Sequence, residues 1–447
     1  MTDRLQSLTE ALLDAARKAG AQSADALAVE GTSVAIDIRA GALEQAERSE
    51  AIEMGLRVII GGRQACVSVS DISARTITDV AERAVAMARE APVDPDVGLA
   101  DPAQLARGWD LAAFELCDPA EEPEAAALEQ DARNAETAAM ARAGITQVEV
   151  SAGYGRQRMH LSASNGFSGG YARTSRSISA VAFTGTGTGM ERDWAGESRI
   201  YGVDLPAADW VGGLAAERAL ARAGARRPKT GTYPVMFDER IASSLIGHLL
   251  AAVNGAAIAR GASWLRGALG AQVLPSGLSV IEDPHRARIS SSRPFDGEGL
   301  PTQRRAIVQD GVLTGWTLDL ATARKLGMQS TANASRGTSS PPSPSTSNID
   351  LTPGAQSRAD LIGQMGTGLL VTSLIGSSIN ATSGDYSRGA SGFWVENGEI
   401  THPVNECTIA GNLRQMLLGI IPANDARAHL ATRVPSLLIE GMILAGA

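Results

Sequence analysis

The stretch SGDYSRGASGFWVENGEITHPVNECTIAGNL, residues 383–413, decides the fold of the larger part of this chain. Apolar and polar residues alternate there between glycine-bearing turns, and no run keeps a helical period. That pattern belongs to short antiparallel strands joined by tight hairpins. Residues 376–398 also bring Asn380, Asp385, Tyr386, Arg388, Phe393 and Trp394 in among the turns. Glycine-rich loops with a few aromatics and one arginine commonly line binding surfaces, and plain hairpins give the same composition. Under the first alternative these six side chains are candidate contacts to a peptide or a protein partner, with an open sheet edge as the docking element.

Upstream, PVMFDERIASSLIGHLLAAVNGAAIARG (234–261) reads as a strand running into a long helix. The run SRGTSSPPSPSTSNI (335–349) is too rich in proline and serine for a helix or a central strand, and is expected to be an extended surface loop. At the other end, Leu5, Leu8, Leu12 and Ala16 recur at helical spacing, and Gly20 supplies a stop. Short alternating runs follow, including a hairpin around Gly61-Gly62, and then a helix from about 72 to 89. Prolines interrupt residues 91–122, which read as a linker. A second set of alternating runs lies between helices at about 122–143 and 206–224. These elements predict a multi-domain α+β protein. A helix-sheet-helix unit spans 1–95, an antiparallel sheet bracketed by helices spans 96–228, and a larger glycine-rich, mainly β domain spans 229–447.

Composition excludes several classes. Forty basic against forty-nine acidic residues give a net charge of -9, and the one basic cluster, Arg222, Arg226, Arg227 and Lys229, suits a helix end at a domain join. Direct nucleic-acid binding is not expected. Cys66, Cys117 and Cys407 are too far apart for a disulfide framework or a CxxC pair, which fits a reducing compartment. The first twenty residues form an amphipathic segment with acidic side chains rather than a signal peptide, and no strongly apolar run suits a membrane span. The expected location is the cytoplasm.

Chemistry is sparse. The five histidines are His160, His248, His285, His402 and His429, and no HExxH occurs. His402, Glu406 and Cys407 are acceptable metal ligands or a nucleophile with its base, so a stand-alone hydrolase built on them competes with an ordinary strand-turn segment. The glycines of GTGTG (185–189) lie between two strand-like runs, which favours a hairpin over a phosphate cradle.

The stretches MGLRVIIGGRQACVSVSD (54–71), SNIDLTPG (347–354) and 383–413, with the opening of the third unit, resemble the TldD/PmbA family of bacterial metallopeptidase components, in its PmbA (TldE) branch. In that family the TldD branch carries HExxxH on the helix that opens the third region. Laid on this chain, the first histidine becomes Ser243, the glutamate becomes Ser244, and His248 remains. Two neutral hydroxyls and one imidazole hold no catalytic zinc and supply no carboxylate base. The resemblance therefore implies no catalytic, cofactor or metal residue in this chain and a non-catalytic role beside a zinc-bearing TldD-type subunit, acting on unfolded or small peptides. A regulatory protein-binding role of the DNA gyrase modulator type is the alternative. For the isolated chain, a homodimer stays open.

Overall fold

The computed structural model describes residues 3–446, the side chain of Ser377 excepted. Helix α1 (Arg4–Ala19) starts where the Asp3 carboxylate accepts from Leu5 N and stops at Gly20, whose φ of 99° suits only glycine without strain. A meander of β1 (Ser23–Arg39), β2 (Ala42–Ile60) and β3 (Arg63–Val69) follows, then α2 (Ala74–Glu90). Beyond the connection come α3 (Ala125–Met140), β4 (Ile145–Ala163), β5 (Ser168–Thr184), β6 (Glu191–Arg199) and α4 (Ala208–Ala221).

The two N-terminal units share a single sheet, in the order β3-β2-β1-β4-β5-β6. β1 and β4 pair antiparallel from Asp25↔Ala163 to Arg39↔Glu149. The separate sheets expected for 1–95 and 96–228 are thus halves of one. Strand β1, 17 residues long, reads as short runs in sequence because it passes under two different helix pairs, and the first half of β2 is exposed. Ala24, Ala26 and Ala28 of β1 pack with α1 and α2, whereas Val34, Ile36 and Ile38 pack with α3 and α4. The side chains alternate across the sheet, so Leu27 and Val29 face the other way. They join Phe167 and Phe295 in a cluster against the C-terminal domain. The GTGTG segment is the loop of the β5–β6 hairpin, in agreement with the sequence pattern.

The connection from 91 to 124 holds only two short turns of helix and lies along the C-terminal domain. Ala106 N donates to Gly299 O at 2.8 Å, and Arg288 N donates to Phe114 O at 3.0 Å. Buried charge fastens the same contact. Asp25 sits between two guanidiniums, accepting from Arg57 Nε at 2.7 Å and from Arg336 Nη1 across the domain boundary. The basic cluster also clamps this boundary. Arg222 donates to Ser391 Oγ at 2.8 Å, and Arg227 pairs with Glu406.

The C-terminal domain opens with β7 (Gly231–Phe237) and α5 (Glu239–Ala252). The long helix expected here breaks at Asn254, whose carbonyl oxygen caps a separate turn, Gly255–Ala259. Short strands follow: β8 (Val280–Glu282), β9 (Arg305–Gln309), β10 (Val312–Leu313), β11 (Ala334–Ser335), β12 (Ser343–Pro344) and β13 (Ile349–Leu351). The serine-proline run is mostly extended, with β11 and β12 as a two-residue ladder. Then come β14 (Gly368–Ile379), β15 (Asp385–Glu396), β16 (Glu399–Asn412), β17 (Ile421–Pro422), β18 (Thr432–Arg433) and β19 (Leu437–Ala445).

One C-terminal sheet runs β10-β9-β8-β13-β18. The other runs β16-β15-β14-β7-β19-β17, and β16 also pairs with β19, which closes five strands into a barrel. Alternation again sets the layers. Val235, Phe237, Leu369 and Val371 point inward with Leu245 and Leu249 of α5, whereas Met236, Leu370 and Leu438 point outward beneath a helix at Arg358–Met365. No helix among the described residues is long and apolar enough to cross a membrane.

Candidate functional site

Helix α5 starts because Asp238 caps it, accepting from Arg240 N, while Asp238 N donates to Val371 O of β14 at 3.0 Å. Its buried stripe is Ala242, Leu245, Ile246, Leu249 and Ala252. Ser243, Ser244 and Gly247 lie off that stripe and line a cleft of about 430 Å³. The other walls are Arg240, Ile241 and Leu250 of the helix, Thr372, Ser373 and Leu374 of β14, Arg388 of β15, Thr432 and Trp194 of the N-terminal sheet.

A β-bulge shapes this wall. The β14–β15 register jumps from Val371↔Gly392 to Ser373↔Ser391, which leaves Thr372 as the extra residue. Bulges re-aim a side chain and sharpen the local twist. Gly392 is required opposite, since a Cβ there would lie 1.9 Å from Leu370 O.

The cleft is polar and poorly satisfied. Ser244 Oγ and Thr372 Oγ1 on its walls are buried without a hydrogen-bond partner in the protein, and so is His248 Nε2, which does not line it. His248 meets the Tyr386 ring edge-on, with 5.8 Å between centroids. Burial and the nearby Arg388 charge hold the His248 imidazole below its ordinary value, so it is neutral at pH 7. Burial pushes the Tyr386 phenol up to about 12, although Arg388 nearby opposes the shift.

The two guanidiniums differ. Arg240 is neutralised by Asp238 at 3.0 Å and Asp193 at 3.2 Å. Arg388 donates Nε to Gly376 O at 2.7 Å, and no carboxylate among the described residues pairs with it. Asp238 and Asp193 are shared with Arg358 and Arg222, and Arg388 is the arginine of the cleft lining that pairs with no carboxylate among the described residues.

A zinc ion does not suit this donor set. Ser243 and Ser244 are neutral oxygens, His248 is a single imidazole, and the adjacent cation disfavours a divalent metal. Among the described residues no group of three His, Cys, Asp or Glu side chains could hold a metal ion.

The six loop candidates separate in space. Tyr386 and Arg388 belong to the α5 side of β15. Asn380 and Asp385 hold a turn: Asn380 Oδ1 accepts from Thr382 N and Ser383 N, and Asp385 accepts from Ser383 Oγ and Asn412 Nδ2. Phe393 packs into the outer layer with Met236 and Leu361. Trp394 stacks edge-on against Tyr233 at 5.0 Å. No sequence pattern pointed to Thr372, Arg240 or Trp194, which come from three separate elements.

His402, Glu406 and Cys407 do not converge. His402 faces Trp394 across the β15–β16 ladder and bonds Thr401 Oγ1. Glu406 is exposed and paired with Arg227. Cys407 is buried in the barrel core, donates to Ala390 O at 3.2 Å, and burial pushes its thiol up to about 11. The stand-alone hydrolase built on these three is therefore ruled out by their opposed directions.

Comparison with known proteins adds to the geometry. Family models described as the PmbA/TldA metallopeptidase domain 1, central domain and C-terminal domain match residues 24–88, 115–223 and 230–446. The chain is 36% identical to Metalloprotease PmbA of Escherichia coli O157:H7 over 419 residues, 93% of this chain and 90% of that protein. A solved structure from Bacteroides thetaiotaomicron, described as a candidate modulator of DNA gyrase, matches with a TM-score of 0.92 at 27% identity and covers 100% of both chains. TldE from Thermococcus kodakarensis shares the fold, with a TM-score of 0.85 at 19% identity over 98% of this chain and 100% of that one.

Proposed function

Because the chain belongs to the PmbA/TldD metallopeptidase family, we propose that it acts as the non-catalytic subunit of a two-chain peptidase whose zinc is carried by a TldD-type partner. The observation that carries this reading is the donor set on α5. Ser243 and Ser244 occupy the positions of a ligand and a base, and His248 is turned against Tyr386 beside an arginine. A serine hydroxyl cannot take a proton from water at neutral pH as a carboxylate does.

In this role the chain supplies a wall and positions the substrate, and the partner supplies the hydrolytic chemistry. Unfolded or small peptides are the substrates. Extended peptides present unpaired backbone groups, which a protein surface can satisfy without reading sequence. Holding the scissile bond in place contributes to rate as entropy removed before the chemical step.

The test is reconstitution. The purified chain should hold no stoichiometric zinc and leave an unstructured peptide intact, and adding the zinc-bearing relative from the same organism should start hydrolysis. Stoichiometric zinc with peptidase activity in the homogeneous chain would overturn the reading. A gyrase-directed role is the second reading, motivated by the description of the Bacteroides structure. It requires capture of gyrase by this chain in extracts lacking the zinc-bearing relative.

A further inference from the structure

We propose that the cleft over α5 is a receptor for the free α-carboxylate of a peptide that ends in an apolar residue. The inference takes from the function above only that the ligand is a peptide. Three independent features of the cleft support it.

The first is charge. Arg240 is paired with Asp193 and Asp238, whereas Arg388 has no carboxylate partner among the described residues and presents its charge to the cleft. One monoanion matches it, and a phosphate dianion would be left half compensated. A peptide amino terminus would be repelled. Nε holds Gly376 O, and the terminal nitrogens, with the Tyr386 hydroxyl beside them, face the oxygens of a bound carboxylate.

The second is unmet hydrogen bonding. Thr372 is only 5% exposed, and its hydroxyl has no partner. Ser244 Oγ shares that state on the helix side. Buried polar groups are almost always paired, so such a set around one cleft marks a site that an acceptor completes. A χ1 rotation turns the Ser244 or Thr372 hydroxyl toward the bound oxygen.

The third is the wall. Ile241, Leu250 and Leu374 are half-buried apolar side chains, and Trp194 closes the open end with 53% of its surface exposed. These groups suit an apolar terminal side chain. The volume, about 430 Å³, lies within the ~300–1,000 Å³ range of small-ligand sites.

The experiment titrates the purified chain by calorimetry with three probes. They are an N-acetylated tripeptide ending in leucine as the free acid, the same peptide as its C-terminal amide, and inorganic phosphate. The free acid should bind at least about tenfold tighter than either other probe, the change carried by one charge-assisted hydrogen bond. Arg388→Gln should abolish the preference for acid over amide. Arg388→Lys, which keeps the charge and loses the fork, should retain part of it. Thr372→Val should weaken the acid without weakening the amide. Equal binding of acid and amide, tighter binding of phosphate, no saturable binding of the acid, or a preference that survives Arg388→Gln overturns the proposal. Because the chain is titrated alone, loss of the preference sinks the site even when the two-chain peptidase assay succeeds. A preference that depends on Arg388 supports the site even when that assay fails.

Discussion

Replacing Asp25 by asparagine should be among the most damaging isosteric changes in this molecule. The carboxylate is 4% exposed and pairs with both Arg57 and Arg336, whose side chains are 4% and 2% exposed. Solvent therefore does little to screen the guanidiniums once the charge is gone. Burial already pulls Arg336 down to about 10, so it stays protonated at neutral pH and must be carried as a buried cation. Breaking a buried ion pair by removing one partner costs about 3–5 kcal/mol, mostly as the uncompensated charge left behind. In a cooperative unit of about 150–250 residues that is a fall in melting temperature of roughly 6–20 °C. Calorimetric melting of the wild type, Asp25→Asn, Arg336→Met and the double variant measures it. The double variant should be less damaged than the sum of the singles, since removing Arg336 relieves the charge that Asp25→Asn exposes. A loss under about 1 kcal/mol for Asp25→Asn, or strict additivity, would refute the claim that stranded charge sets the cost.

Three other predictions follow from buried groups. Burial, with Asp296 nearby, raises the Glu298 carboxyl from 4.5 to about 8, so between those pH values the unfolded chain binds fewer protons than the folded one, and stability falls as pH rises. Urea midpoints at pH 5 and pH 8.5 should therefore differ less in Glu298→Gln than in the wild type, and an equal difference would remove the argument. Cys407, with its thiol pushed up to about 11 inside the barrel core, should resist a thiol reagent at pH 8 until the chain is unfolded, and labelling of the native protein at the rate of a free thiol would contradict its burial. Placing the motif with Ser243→His and Ser244→Glu should not create a stoichiometric zinc site, because no His, Cys, Asp or Glu stands among the residues lining the cleft and Arg388 stays beside it; metal analysis after dialysis decides the matter.

Much of the architecture was legible in the sequence because period and punctuation carry it. The stop at Gly20, the GTGTG hairpin and the strand entering α5 are local signals, and each stands where its residues place it. The single N-terminal sheet was not legible. Pairing between β1 and β4 leaves no local trace, and a strand that passes under two helix pairs reads as two short runs. The helix break at Asn254 was missed because Leu249, Ala252, Ala256 and Ile258 on its two sides keep an apolar helical period. For the cleft, Ser243, Ser244 and His248 were singled out because the family resemblance lays its HExxxH motif on one helix of this chain. Thr372 owes its direction to a bulge that only strand register defines, and Trp194 arrives from a different sheet. Asn380 and Asp385 share a local composition with Arg388, yet they hold a turn, because composition does not encode the direction of a side chain.

The shared sheet also sets a timetable for synthesis. β1 leaves the ribosome with β2 and the two helices that cover one of its faces, but its other hydrogen-bonding edge belongs to β4, whose paired residues lie 110 to 138 positions downstream between Arg39↔Glu149 and Asp25↔Ala163. At about 5–20 residues per second, that edge waits roughly 5–30 s for its partner. Throughout this interval a strand edge next to Leu27 and Val29 is open to any other extended chain. A translational pause between residues 91 and 144 lengthens the exposure, and truncation at residue 95 makes it permanent.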